Sequence, residues 1–196
     1  MESGFAPGDK VLLWVDQTNS AEILTAQMGA AKAGLSIVTF SEKDSKDSFH
    51  HALKDSGARG IIFSPSTSVD EEGGTRQSLL QGLMPELNNM YPGDALNLAE
   101  YPSLKQIVQT DHTNMRGVIK FKDVLVYANT SMSGFSLPQN EPEASLFECY
   151  RAGTKVSQFS NGEIAKHSSN LWDCHFSQTS GDIDDGKLFN YETRSG

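Results

Sequence analysis

The densest chemistry in this chain lies in the stretch Phe147-Glu148-Cys149-Tyr150-Arg151-Ala152-Gly153-Thr154-Lys155-Val156-Ser157-Gln158-Phe159-Ser160-Asn161-Gly162. A short strand is expected at 144–149, a polar turn after it, and a helix at 163–173. Strand, loop and helix N-terminus in that order form the usual cradle for a phosphate, because unsatisfied backbone N–H groups and the helix dipole both favour an anion. The residue types at this turn suit the task poorly.

Other residues that could do chemistry are weaker candidates. His50 and His51 are adjacent on an expected helix, so their side chains diverge by about 100° and cannot share a metal ion. Cys149, His167, Cys174 and His175 lack the paired spacing of a zinc site. Cys149 with His167 as a base lacks an orienting third group, which places an independent small enzyme last among the readings. Asp70-Glu71-Glu72 and Asp182, Asp184 and Asp185 read as solvated charge, since a calcium loop needs further ligands and a closing Glu. Met28, Met84 and Met90 occupy apolar positions and read as core filler.

The elements that must position these groups follow a regular tempo. Val11-Leu12-Leu13-Trp14-Val15 is a continuous apolar run, as expected of a central parallel strand buried on both faces. Asn19 with Glu22 reads as a capping box for a helix over 21–33, closed by Gly34. A second strand is expected at 35–40. Asp44 can cap the following helix, which places Phe49, Ala52 and Leu53 on one face and stops at Gly57. The third strand spans 60–64 and ends at Pro65. This β-α-β-α-β run predicts an α/β fold with a doubly wound, mostly parallel sheet. Further on, a helix is expected at 76–88, a turn at 91–94, a strand at 104–110 and a short helix at 121–127. The segments 66–74 and 131–142 read as loops.

The 196 residues suffice for one domain with a sizeable core. A formal net charge of −9 argues against a nucleic-acid or anionic-membrane surface. No apolar run approaches the length of a membrane-spanning helix, and no targeting peptide is visible at the N-terminus. Two cysteines suit a reducing compartment better than a disulfide scaffold.

Four short motifs occur in order: Gly8-Asp9-Lys10-Val11, Met28-Gly29-Ala30-Ala31-Lys32-Ala33-Gly34, Leu53-Lys54-Asp55-Ser56-Gly57-Ala58-Arg59 and Pro102-Ser103-Leu104-Lys105. Together they resemble the N-terminal part of the AMP-forming acyl-CoA synthetases, the adenylate-forming superfamily, over about residues 8–175. The resemblance implies a truncated N-terminal subdomain of an adenylate-forming enzyme. It also implies that the stretch opened on above stands where the family has a phosphate loop of the form Y-T-S-G-T-T-G-x-P-K-G. Tyr150, Gly153 and Thr154 match that loop, and His167 with Asn170 resembles the family's later His-x-Asn.

The departures are severe. Arg151 and Ala152 replace hydroxyl residues, Val156 the second glycine, Gln158 the proline and Phe159 the lysine. A β-branched residue largely forbids the backbone conformations a glycine allows near phosphate, and phenylalanine supplies no positive charge. The family's adenine-binding half-domain and its small C-terminal domain with the catalytic lysine do not fit in the residues after Trp172.

The expected molecule is therefore a non-catalytic, acyl-CoA-synthetase-like pseudoenzyme with a truncated α/β domain over residues 1–176. An acidic polar tail over residues 177–196 is expected to be held by a partner. Its expected role is an accessory subunit of a larger assembly, such as a mitochondrial respiratory-chain or ATP synthase complex, with other protein subunits as partners. No nucleic acid, membrane span, metal or cofactor is expected, and an intracellular, mitochondrial setting is favoured over the cytosol. The alternative is an ATP/AMP- or acyl-CoA-binding module of a split acyl-CoA synthetase.

Overall fold

The structure is a computed structural model and describes residues 4–16, 18–40, 46–69, 74–127 and 141–167. Seven strands form one sheet: β1 (Lys10–Trp14), β2 (Ser36–Phe40), β3 (Gly60–Phe63), β4 (Gln106–Gln109), β5 (Ile119–Lys120), β6 (Ser145–Arg151) and β7 (Thr154–Ser160). Among the described residues the helices α1 (Ser20–Lys32), α2 (Lys46–Ser56), α3 (Arg76–Leu83) and α4 (Phe121–Tyr127) accompany them, with a further helical segment at 161–167. The strand order is β5-β4-β3-β1-β2-β6-β7. Every neighbouring pair is parallel except β6 with β7.

The apolar run at 11–15 becomes β1, at the middle of the sheet, and its side chains alternate between two cores. Leu12 and Trp14 join Phe49, Ala52 and Leu53 of α2 in the larger core. Leu13 and Val15 join Ile23, Ala26 and Ala30 of α1 in the smaller one. Since successive strand residues point to opposite faces, α1 and α2 lie on opposite faces, and the sheet is doubly wound as expected. Trp14, Phe40 and Phe49 anchor the larger core. Trp14 stacks on Phe49 at 4.3 Å between ring centroids, and Phe40 meets both rings edge-on. Such pairs add about 0.5–1.5 kcal/mol each beyond their burial.

Several local expectations change. The helix expected at 76–88 breaks after Leu83, and Pro85–Asn89 form a 3-10 turn instead. Proline has no N–H to continue the ladder, so it starts the new turn. Asn19 is the N-cap of α1 but makes no side-chain capping bond; its amide donates to Ser64 Oγ at 3.2 Å. A true capping box occurs at α3, between Thr75 and Ser78. The smaller core leaves the outer side of α1 bare: Met28, expected as core filler, is 64% exposed beside exposed Leu24. Met84 is fully buried. Asp44, the expected cap of α2, lies outside the described residues, as do Asp70, Glu71 and Glu72.

The largest correction concerns the stretch after β6. In place of a polar loop running to residue 162, the chain turns within two residues and returns as β7 against β6. A helical segment then follows at 161–167. Val156, Gln158 and Phe159 are thus strand residues, not members of a loop.

Candidate functional site

β6 is fixed in place before its hairpin begins. Glu148 is almost fully buried, and its carboxylate accepts from Lys10 Nζ at 3.0 Å to either oxygen. Lys10 lies on β1 and Glu148 on β6, with β2 between them, so the ion pair ties three adjacent strands. A buried carboxylate without such a partner would cost several kcal/mol.

At the end of β6, Tyr150 is buried and its hydroxyl donates to Asp55 Oδ2 at 2.8 Å. Ala152 and Gly153 follow with φ of +49° and +76°. Positive φ at both central residues marks a type I′ turn, whose twist matches that of a hairpin. Gly153 presses against α2, so closely that an added Cβ would lie 3.0 Å from His51 Cβ and 3.1 Å from the Ser48 carbonyl oxygen. Thr154 opens β7 on the surface. Tyr150, Gly153 and Thr154 are therefore neighbours, but they do not converge. The Tyr150 hydroxyl is engaged with α2, Gly153 is spent on the turn, and Thr154 faces solvent.

Beyond β7, Ser160 and Glu163 close a capping box on the 161–167 segment. Ser160 N and Oγ donate to Glu163 Oε2 at 2.8 and 3.0 Å, and Glu163 N donates to Ser160 Oγ at 3.3 Å. The Ser160 bonds, backbone first, hold the Glu163 carboxyl below its usual range. The Ser-x-x-Glu spacing was visible in the sequence as a helix start at 161, two residues before the one expected there.

Two predictions arise here. Alanine is strained at positive φ, where asparagine is tolerated. Ala152→Asn is expected to stabilise the protein by about 0.5–1 kcal/mol, raising Tm by about 1–4 °C in a thermal melt. The second concerns alkaline pH. Burial and the nearby Glu100 charge push the Tyr101 hydroxyl up to about 12. Burial, the Asp55 hydrogen bond and the charges of Asp55 and Glu148 raise Tyr150 as well. Both phenols keep their protons longer folded than unfolded, so their contribution is complete below about pH 10 and falls as pH rises toward about 12. The expected slope is at most about 1.4 kcal/mol per pH unit for each group. Denaturant titrations across that window check it, and Tyr150→Phe should flatten the fall.

Doubly wound sheets place ligands beyond the carboxyl ends of the strands, where connections leave in opposite directions. Here that point lies between β1 and β3, and it holds a polar cluster that sequence reading missed. Asp16 N and Asn19 Nδ2 donate to Ser64 Oγ at 3.0 and 3.2 Å. Thr18 and Thr67 hydroxyls donate to the Asp16 carboxylate at 2.6 and 3.3 Å. The Thr18 side-chain and backbone bonds chiefly hold Asp16 below its usual range, and Arg76 adds to this. Ser66 donates to Asp111 through its N–H and hydroxyl. The signal was a run of hydroxyl residues, Ser64-Pro65-Ser66-Thr67, directly after a strand. Asp16 and Asp111 are its acidic members, and the Ser64, Ser66, Thr18 and Thr67 hydroxyls are engaged within the cluster.

A separate cavity of about 390 Å³ lies at the opposite, amino ends of β1, β2 and β6, lined by Gly8, Lys10, Ser36 and Asn161 among others. His50 Nδ1 meets the Tyr101 hydroxyl at 2.6 Å. Among the described residues no group of three or more His, Cys, Asp or Glu is placed to hold a metal ion. Cys149 is half-buried on β6. Asn170, Cys174, His175 and the acidic tail lie outside the described residues.

The sequence has 28% identity over 130 residues with a Bacillus subtilis (strain 168) protein named as an acyl-CoA synthetase, YngI, covering 66% of this chain and 22% of that one. It has 22% identity over 145 residues with the mitochondrial medium-chain acyl-CoA ligase ACSF2 of Mus musculus, covering 74% of this chain and 22% of the ligase. This chain resembles the N-terminal part of AMP-forming acyl-CoA synthetases. Its fold also superposes on a Rhodopseudomonas palustris protein named as a long-chain-fatty-acid CoA ligase. The TM-score is 0.65 at 16% identity, over 89% of this chain and 37% of that one. The chain spans about a fifth of the length of the curated relatives it matches. No protein-family model matches the sequence.

Proposed function

We propose that this chain is a non-catalytic, acyl-CoA-synthetase-like module that acts by binding other protein subunits. One observation carries the reading: where the sequence resemblance puts the family's phosphate loop, the chain makes a two-residue turn. A phosphate cradle needs several backbone N–H groups converging on one point. In the hairpin, β7 instead runs antiparallel to β6, with its side chains largely on the surface. Partner binding draws support from the exposed apolar side chains on α1 and β7, namely Leu24, Met28, Val156 and Phe159. A mitochondrial setting has the likeness to ACSF2 in its favour.

The experiment is ATP–pyrophosphate exchange with a panel of carboxylic acids, alongside calorimetric titration with ATP. The expected result is neither exchange nor heat. Exchange that depends on added acid would overturn the proposal. The fold likeness also favours a second reading, an ATP/AMP- or acyl-CoA-binding module completed by another chain. For that reading, heat on titrating ATP or acyl-CoA into the chain with its co-purifying partners, but not into the chain alone, is the distinguishing result.

A further inference from the structure

The two faces of the sheet are covered unequally at the β6–β7 hairpin. On one face Glu148 and Tyr150 are buried, with Gly153 pressed against α2 at Ser48 and His51. The other face carries Phe147 and Cys149, because successive residues of β6 alternate. Phe147 sits at the margin of the smaller core and faces Phe159 across the hairpin. α1 packs chiefly on β1 and β2. Phe147 and Cys149 therefore stay half-buried, and Phe159 is 41% exposed.

The chain itself arrives at this bare area. After β7, Asn161 N donates to Ala144 O at 2.9 Å and Gly162 N to Pro142 O at 2.8 Å. The helical segment at 161–167, with its capping box, thus starts at the foot of β6. Residues 168–176 lie outside the described residues, but the sequence carries the helical spacing onward. At about 100° per residue, Ile164, Ala165, Leu171, Trp172 and Phe176 fall within an arc of about 140°. Glu163, Lys166 and Asp173 gather on the opposite side, as in an amphipathic helix. A helix over 161–176 would measure about 24 Å, close to the roughly 23 Å length of β6.

We propose that the helix begun at 161 continues to 176 and docks its apolar side on Phe147, Cys149 and Phe159, beside α1. The chain's own segment is favoured over a second molecule because it is tethered at the foot of the face it covers. Tethering makes the contact intramolecular, at a high effective concentration. The opposite face of the hairpin is closed to it by α2 and by Glu148, which Lys10 and Lys155 approach at 3.0 and 3.9 Å. Leu24 and Met28 stay outside the contact, so the surface open to partner subunits narrows to the outer side of α1 and Val156.

The test is the rate at which a maleimide labels Cys149 in the full chain, with Cys174→Ser leaving it the sole thiol. Trp172→Asp should raise that rate about tenfold by loosening the docked helix, while Trp172→Phe should leave it unchanged. Amide exchange in the unmodified chain gives a second reading that no substitution can disturb. Protection should run through 168–176, because a helix of this length is marginal in water unless it is docked. Free exchange there overturns the proposal, and so does a labelling rate indifferent to Trp172→Asp. A labelling rate that falls as the unmodified thiol-bearing chain is concentrated would assign the face to a second copy, which also overturns it.

Discussion

Replacing Arg76 with alanine is expected to lower the unfolding free energy by about 3–5 kcal/mol, the largest single-residue effect in the molecule. Arg76 is fully buried at the start of α3. Its guanidinium donates to the Trp14 carbonyl at 2.8 Å and lies 4.8 Å from the centroid of the Trp14 ring. It also attracts the Asp16 carboxylate. One side chain thus ties α3 to the central strand and to the polar cluster at its end. Truncation would remove a charged hydrogen bond and a ring contact, and it would open a cavity beneath the sheet. Arg76→Met should recover part of the loss by refilling the volume, since the Trp14 carbonyl still accepts from Ser64 N at 3.2 Å. Denaturant melts of the two variants measure the difference. Equal, small losses for both would mean that Arg76 is tolerated and not structural.

Gly153→Val is expected to cost about 2–4 kcal/mol. Two independent effects add here: φ is +76°, and the new Cβ would press on the backbone of α2 at Ser48. A flexible neighbour could move aside, but a helix backbone cannot. Gly153→Ala should cost less than valine and yet be clearly destabilising, because it shares the φ strain and the first contact. A thermal melt with circular dichroism of both variants orders the two effects. If either were neutral, the close packing of hairpin on helix described above would be wrong.

The sequence made the first half of the sheet legible because burial wrote it in. Val11 to Val15 are apolar throughout since both faces of β1 are covered, and Phe49, Ala52 and Leu53 show helical spacing since α2 covers one of them. The same cause explains the misreading at β7. An edge strand packed on few neighbours has no apolar face to display, and Thr154 to Ser160 show no clean alternation. The turn hid as well. Ala152-Gly153 lacks the Asn-Gly signature of a type I′ hairpin, and Gly153 was read through its resemblance to a phosphate-loop glycine. Its conformational freedom is real, but the turn uses it. The crevice between β1 and β3 escaped for a different reason: Asp16 is far in sequence from Ser64 and Thr67, and only the strand order brings them together.

The place of β6 beside β2 has a consequence for how the chain acquires its structure. β1, β2 and β3 can assemble as soon as the first 63 residues exist, since β1 finds both of its neighbours, β2 and β3, within that length. The other edge of β2 must wait: Thr39 and Glu148, neighbours in the finished sheet, are 109 residues apart along the chain. During synthesis at about 5–20 residues per second, that edge stays open for roughly 5–20 seconds. Contacts closed over such a distance form late and slowly. A nascent chain would therefore present an unpaired, apolar β2 edge to its surroundings, making that strand the natural point of capture for a chaperone and the natural point of failure when none is at hand.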